Sequence, residues 1–518
     1  MLMNTRRRFL TAASLAVTGS LVRTRFALAS AIRFAANPFT LGVASGYPLS
    51  DSVVLWTRLA PEPRSPDGGM PREVVPVEWE VARDERMTSI VRHGVEYATP
   101  EWAHSVHVEP EGLESSTDYW YRFTAGGIRS PVGRTRTAPA RGASLKQMRF
   151  ALVCCQHYEH GYFTAYRHLV SDSPDLILHV GDYIYEGNAP HRVRNHDLPV
   201  SHTLEDYRIR HAVYKTDADL AAAHAACPWL LVWDDHDVSN DYAGDVSEEA
   251  EDPQVFLARR AAAYRAYYEH MPLPRWAVPS GPDMHMFARY AYGDLAGFLL
   301  LDQRQYRSPE ACPPAGRAGG HRVDEKDCPE IDSPTRTMLG SHQEQWAFAE
   351  LAASTSRWNL LAQGTLMAYL NEEQAPAHRY WTDAWNGYPA ARARLLNYLS
   401  DHSVANPVVL SGDIHAFVVS GLNREGGNLE SPVVAPEFVT SSISTDANPE
   451  LYFTNAREHN PNLLLATGER RGYIRFDLTH ERLRADLVAM KNVKLPNSER
   501  FTLASYVVEP GHAAPAKA

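Results

Sequence analysis

The stretch PDLILHVGD, residues 174–182, decides the fold. LILHV is an apolar, strand-like run, Gly181 lets the backbone turn tightly at its end, and Asp182 then projects from that end. Three further runs finish in the same way. MRFALVCC (148–155) ends at Cys155, WLLVWDD (229–235) at Asp235, and NPVVLSGDIH (406–415) at Asp413 and His415. Each end carries a residue able to bind a metal. Open α/β sheets bind ligands beyond the carboxyl ends of their strands, so these four ends are expected to meet in one crevice.

Outward from these runs the chain divides. From Met148 strands alternate with helical segments such as GYFTAYRHLV (161–170), YRIRHAVYKTDADLAAAHAA (207–226) and AARARLLNYL (390–399), which predicts a layered α/β sheet domain packed by helices over 148–510. FARYAYGDLAGFLLLD (287–302), within a turn-rich region, predicts that part of the sheet is antiparallel. Residues 37–137 show alternating runs, SVVLWTRL, VPVEWEVA, SVHVE and DYWYRFTA, separated by Pro, Gly and acidic turns. That pattern predicts a small all-β sandwich before the α/β domain. Residues 131–147, basic and punctuated by Pro and Gly, read as a linker.

At 518 residues the chain exceeds what one core usually supports, so two domains, or one large domain with a satellite, are expected. Its 44% hydrophobic and 22% charged content is that of a globular protein rather than a disordered one. A net charge of -11, without a long Lys/Arg run, argues against a nucleic-acid partner held by phosphate-backbone contacts. The amino terminus, Arg6-Arg7-Arg8-Phe9-Leu10, a mildly apolar stretch and Ala27-Leu28-Ala29, reads as a twin-arginine export signal over 1–29. The export machinery is then a partner, and the mature chain is expected to be periplasmic or secreted. No later run has the roughly 18 apolar residues of a transmembrane segment. In an oxidising compartment Cys312 and Cys328, flanking a Pro/Gly-rich loop, are expected to form a disulfide, while Cys227 reads as a buried small hydrophobe. Cys154 and Cys155 cannot both face one side of a regular strand, so one is core and the other is available for chemistry.

The strand ends gain weight from their context. In WDDHDVSN four polar or ionisable groups, Asp234 to Asp237, follow an apolar run, an expensive arrangement unless they are paired or bound to metal. Asp413 and His415, at i and i+2, lie on the same side of an extended segment and can contact one ion. His236 can protonate a leaving group or be a structural histidine bonded to Asp234 or Asp237. Arg304 can pair with a phosphate oxygen or be a buried arginine tied to Asp302 or another acid. Tyr158, Tyr162, Trp381 and Trp385 line an entrance or belong to the core.

GVASG with VVLWTRL, CCQHYEHGYFTAYRHL, GDYIYEG, WDDHDVSN, LDQRQYR, TRTMLG, DAWNGYP and SGDIHAF, in this order, resemble the alkaline phosphatase D family of PhoD-like metallophosphoesterases. The resemblance spans about Pro38 to beyond Gly472. It implies a calcineurin-like phosphoesterase domain behind the β-sandwich, with one iron(III) and two calcium ions. By the same resemblance Cys155, Asp182, Tyr185 and His415 are iron-ligand candidates, and Asp182, Asp235, Asp383 and Asp413 serve calcium or bridge. The preference for Cys155 over Cys154 rests on the resemblance alone. Thiolate, phenolate and imidazole do suit a transition metal, and carboxylates suit calcium. Asn386 stands where the family usually has an acid, Asp237 replaces a glutamate, and Asn462 replaces a histidine.

The expected reaction is hydrolysis of phosphate monoesters, with diesters, on small molecules or polymers, by attack of a metal-activated oxygen on phosphorus. A monomer is expected. No G-x-S-x-G elbow, Walker A loop or H-E-x-x-H helix points to the common alternatives. Two rivals use the same residues: a phosphodiesterase or phospholipase D-type enzyme acting on phospholipid or wall polymer, and a non-enzymatic secreted protein whose cluster holds only structural calcium.

Overall fold

The computed structural model describes residue 34, residues 36–374 and residues 377–518. The export signal read at 1–29 lies outside them.

Two sheets carry the structure. In the ten-stranded one, Gln147–Val153, Leu176–Val180 and Trp229–Val232 run parallel side by side, the latter two buried throughout. In the seven-stranded one, Ala296–Leu300, Trp358–Ala362, Pro407–Ser411 and Val433–Val439 are likewise parallel. The pleat distributes each strand between two cores. Trp358, Leu360 and Ala362 join a core that also holds Phe150 and Leu152 of the other sheet, whereas Leu361 joins Leu351, Leu395 and Leu399 of two helices, Gly340–Ala352 and Pro389–Asp401. Phe150 meets Phe298 edge-on at 5.3 Å across the gap between the sheets. Helices Thr164–Ser171 and Ala218–Ala226 send Ala165, Leu169, Leu220 and Ala223 into the same core as the ten-stranded sheet. Strands covered on both faces lose the apolar/polar alternation, which is why their runs read as continuous apolar segments.

The 287–302 stretch folds as Ala288–Tyr292 and Ala296–Leu300, an antiparallel pair turned at Gly293-Asp294 on one edge of the seven-stranded sheet. The helical run 207–226 is divided at Asp217, whose carboxylate accepts the N–H groups of Asp219 and Leu220 and starts a new helix. Residues 37–137 are all-β apart from one short turn of helix, but their strands are not sealed off from the rest. Val43–Gly46, Val54–Arg58 and Ser105–Val108 continue the ten-stranded sheet through the pairing of Gly46 with Trp229. Val75–Ala82, Ile90–Ala98 and Asp118–Ala125 form a further sheet, and the two share a core of Val43, Leu55, Val77, Tyr121 and Phe123. The stretch read as a linker contains the strand Gly133–Arg136, paired with Asp118–Tyr121. A strand of Gly, Arg, Thr and Arg buries no apolar side chain, so hydrophobic patterning cannot reveal it. Among the described residues no helix is long and apolar enough to cross a membrane.

Candidate metal centre

Parallel pairing aligns the carboxyl ends of Gln147–Val153, Leu176–Val180 and Trp229–Val232 in one sheet, the end of Pro407–Ser411 comes from the other sheet, and the side chains that follow meet. Cys155, Asp182 and His415 each offer a ligand atom within 4.8 Å of the others, and Asp182, Asp234 and Asp235 do the same. Asp182 belongs to both groups. The backbone accepts strain to achieve this. Cys155, Asp182, Asp413 and His415 all have φ between 55° and 66°, the left-handed region that costs a side-chain-bearing residue roughly 1–2 kcal/mol. At Gly181 (φ 105°) an added Cβ would collide with Asp234, and at Gly364 it would come within 2.8–2.9 Å of the Asp234 carboxylate. The two glycines let the strand ends approach closely enough for the carboxylates to cluster.

The cluster is short of donors. Both carboxylate oxygens of Asp182, Oδ2 of Asp234 and Oδ1 of Asp235 are buried without a hydrogen-bond partner among the described residues. Burial, then Asp235, pushes the Asp182 carboxyl well above its ordinary value, and burial, then Asp234, does the same to Asp413. Buried, unpartnered carboxylates of like charge are the arrangement a bound cation resolves. The donor set therefore fits metal ions.

The Tyr185 hydroxyl lies 2.9 Å from Nε2 of His415 and accepts a hydrogen bond from Thr445 at 3.0 Å. It thus stands beside the cysteine–aspartate–histidine group. Cys155 is the cysteine at the centre, its Sγ 3.9 Å from the Asp413 carbonyl, whereas Cys154 is buried and points toward the Thr440 carbonyl. Asp413 reaches the cavity from the same loop as His415.

Asp383 and Arg304 depart from their sequence reading. Arg304 is fully buried and bonds Asp234 and both oxygens of Asp383, with Asp235 at 3.4 Å. It does not line the cavity, and its guanidinium holds ligand carboxylates in place rather than meeting a phosphate; of the two alternatives the buried ion pair is found, with partners other than Asp302. Asp383 lines the cavity, but its oxygens accept from Arg304 and Arg307, so it joins neither ligand group. The neighbouring acids differ: burial pushes Asp234 up to about 6 against the pull of Arg304, whereas at Asp235 burial is outweighed by Arg304, His236 and backbone N–H groups, which hold it below its ordinary value.

His236 lines the cavity, and its Nδ1 lies 2.8 Å from Glu186 rather than bonding Asp234 or Asp237. Burial alone would depress its imidazole, but the Glu186, Asp235 and Asp182 carboxylates outweigh this and hold it well above its ordinary value. Its ring packs 4.2 Å from that of Tyr185. Asp237 faces inward instead and accepts the N–H groups of Asp182, Tyr183, Ile184 and Asp234, tying two strand ends together. Sequence reading assigned no role to Glu186, Thr445 or Arg307 and left Asp234 out of the ligand set. Glu186 is the acid directly after Tyr185 in the motif GDYIYEG, and its place there is the available signal.

The cavity in front of these groups measures about 520 Å³. Trp381 lines it beside Asn386, Arg317 and Arg322, while Trp385 is in the core and Tyr158 packs under Arg194. Asn386 ties its turn to the segment before the strand Arg379–Trp381, donating to the Ala368 carbonyl at 3.1 Å, and Asn462 donates to the Tyr369 carbonyl. Cys312 and Cys328 form the expected disulfide, and Cys227 is buried.

A crevice at strand ends with two cation-fitting groups sharing one carboxylate is an arrangement suited to phosphate-ester chemistry. The pattern of the PhoD-like phosphatase family matches residues 150–487, and that of the PhoD-like phosphatase N-terminal domain matches residues 25–139. Alkaline phosphatase D of Bacillus subtilis (strain 168) is 45% identical over 493 residues, covering 93% of this chain and 83% of that one. A solved structure of PhoD superposes with a TM-score of 0.89 at 45% identity, covering 94% of this chain and 93% of that chain. The chain belongs to the PhoD-like phosphatase family and is an enzyme of that class.

Proposed function

We propose that this phosphatase hydrolyses phosphate monoesters, with diesters, outside the cytoplasm at a centre where Cys155, Asp182, Tyr185 and His415 hold iron and Asp182, Asp234, Asp235 and Asp413 hold calcium. The observation that carries this reading is the sharing of Asp182, with both its oxygens unpartnered, between two ligand groups. The resemblance implies one iron(III) and two calcium ions. A second calcium site built on Asp383 requires that carboxylate to leave Arg304 or Arg307.

When bound, such cations neutralise phosphoryl oxygens and acidify water. The chain's own residues do the rest. Asp182 spaces the two groups, Asp237 fixes the backbone that presents it, and Arg304 keeps Asp234 and Asp235 from rotating away. His236, protonated and oriented by Glu186, faces the cavity and supplies a proton to the departing ester oxygen. A cavity of about 520 Å³ also accommodates the second ester group of a diester, which favours the phosphodiesterase reading as an extension of the same site.

The test joins metal analysis with turnover. Freshly purified enzyme is expected to contain iron and calcium and to absorb visible light, and Tyr185→Phe to lose absorption and activity together. Hydrolysis of p-nitrophenyl phosphate at full rate by protein stripped of both metals overturns the proposal. Iron-free, colourless protein that retains stability but no activity on a panel of monoester, diester and phospholipid favours the structural-calcium reading instead. The twin-arginine route is tested by replacing Arg6 and Arg7 with lysine, which is expected to hold the enzyme in the cytoplasm.

A further inference from the structure

The described residues lining the cavity include seven aspartates and glutamates but no lysine or arginine other than Arg317 and Arg322. Both belong to the loop closed by the Cys312–Cys328 disulfide. Resting on the phosphatase reading above, we propose that this loop forms a second-anion subsite, which recognises a negatively charged group on the part of the substrate that does not react.

Three observations carry the proposal. First, the arginines face outward from buried partners. Arg317 pairs with Glu248 and Arg322 with Glu372, and the arginine side chains are 54% and 52% exposed against 13% and 7% for the glutamates. Arg322 spends Nε and Nη2 on Glu372, and Arg317 spends Nη2 on Glu248. Among the described residues Nη1 of each, and Nε of Arg317, have no hydrogen-bond partner, so each guanidinium keeps donors for a ligand.

Second, the loop is built as a rigid wall. Besides the disulfide, the Ala318 N–H donates to the Glu248 carbonyl at 2.7 Å, the Gly320 N–H to the Asp241 carboxylate at 3.0 Å, and the His321 N–H to Thr382 at 3.1 Å. Its strand Arg322–Asp324 pairs with Arg379–Trp381. The Asp241 N–H in turn donates to Asp235 at 2.8 Å, so the wall is registered against the ligand carboxylates. A fixed distance between metal groups and arginines is what a ruler for two anions needs.

Third, the cavity extends well beyond a phosphoryl group held at its metal end, and the arginines sit on the same cavity as Asp182, Asp235 and His415. Among the described residues lining the cavity, these two guanidiniums are the only arginine or lysine groups an anion can meet.

The experiment compares α,ω-alkane bisphosphonates with alkyl phosphonates of equal length, by calorimetric titration of the full-length, metal-loaded enzyme. At one chain length the bisphosphonate is expected to bind roughly tenfold more tightly, the weight of one charge-assisted hydrogen bond. The advantage is expected to shrink with added salt and to vanish in Arg317→Gln/Arg322→Gln, exposed positions where a neutral substitution preserves folding. Phosphonocarboxylates decide whether the second group must be a phosphonate or any anion. Cys312→Ser/Cys328→Ser keeps both arginines but frees the loop, and is expected to blur the length optimum. Equal affinities of the two series at every length, or an advantage that survives in the glutamine variant, overturn the subsite. Since titration requires no turnover, a protein that prefers bisphosphonates yet hydrolyses no ester overturns the reaction and leaves the subsite standing.

Discussion

At the scale of the residue, Gly181 and Arg304 show how the centre is kept together. Gly181→Ala places a methyl group against Asp234 and demands a φ of 105° from a residue with a side chain. Displacing Asp234 by about 1 Å is expected to lower kcat/KM on the order of 100-fold, with loss of bound calcium before loss of fold. Kinetics with metal analysis checks this, and a variant with full metal content and full activity contradicts the packing argument. Arg304→Met leaves Asp234, Asp235 and Asp383 facing one another in a buried space, which is expected to cost about 3–5 kcal/mol in denaturant unfolding. Much was legible here from sequence: Asp182, Asp235, Asp413, His415 and Cys155 all stood at the ends of apolar runs. Arg304 was legible only as an ambiguity, since a guanidinium suits a phosphate and a carboxylate equally and only burial chooses. Glu186 was not legible as a partner for His236, because the two lie fifty residues apart on different strand-end loops.

At the scale of the element, the strand Leu176–Val180 and the helices Leu204–Lys215, Ala218–Ala226 and Pro253–His270 present buried bases to one another: His179, His211, Lys215, His224 and His270. The groups they face are Arg58, Arg210, Tyr183 and the rings of Trp56 and Trp229; the buried Glu269 carboxylate pulls on Arg58 but pairs with Arg208 and Arg265 rather than with any of these bases. Burial holds His179 down to about 3 and His211, His224 and His270 well below their ordinary value. The sign follows from that direction. Above about pH 6.5 histidines are neutral in both folded and unfolded chains; below it the unfolded chain takes up protons that the folded one refuses, and stability falls. Neither ring nitrogen of His179 has a hydrogen-bond partner among the described residues. His179→Phe is therefore expected to raise Tm at pH 5.5 and to reduce the acid slope of unfolding free energy by about 1.4 kcal/mol per pH unit, the weight of one proton. Equal slopes for the parent and the variant contradict it. Periodicity identified the strand and the helical run 207–226, but neither the helix Pro253–His270 nor this seam, since a histidine within LILHV reads as one imperfect apolar position.

At the scale of the whole molecule, the alternation over residues 37–137 predicted strands correctly, yet it could not show that three of them lengthen the sheet that carries the metal centre. That information resides in the pairing of Gly46 with Trp229, a contact between backbones far apart in the chain. Side chains repeat the connection. Trp56 Nε1 donates to the Glu269 carbonyl at 3.1 Å, Arg58 contacts His270 at 2.6 Å, and His107 Nε2 reaches the Met271 carbonyl at 3.0 Å. Trp56 and Arg58 are fully buried where they do so. Removing residues 1–139 would expose the edge of Trp229–Val232 as unpaired N–H and C=O groups beside newly uncovered apolar surface, a template for aggregation. The truncated chain is expected to be insoluble or to lose cooperative unfolding, while the mature full-length enzyme melts in one calorimetric transition that includes both regions. A soluble 140–518 fragment with the parent's Tm and activity contradicts this, and would make the amino-terminal strands an appendage rather than part of the sheet that holds the strand ends in register.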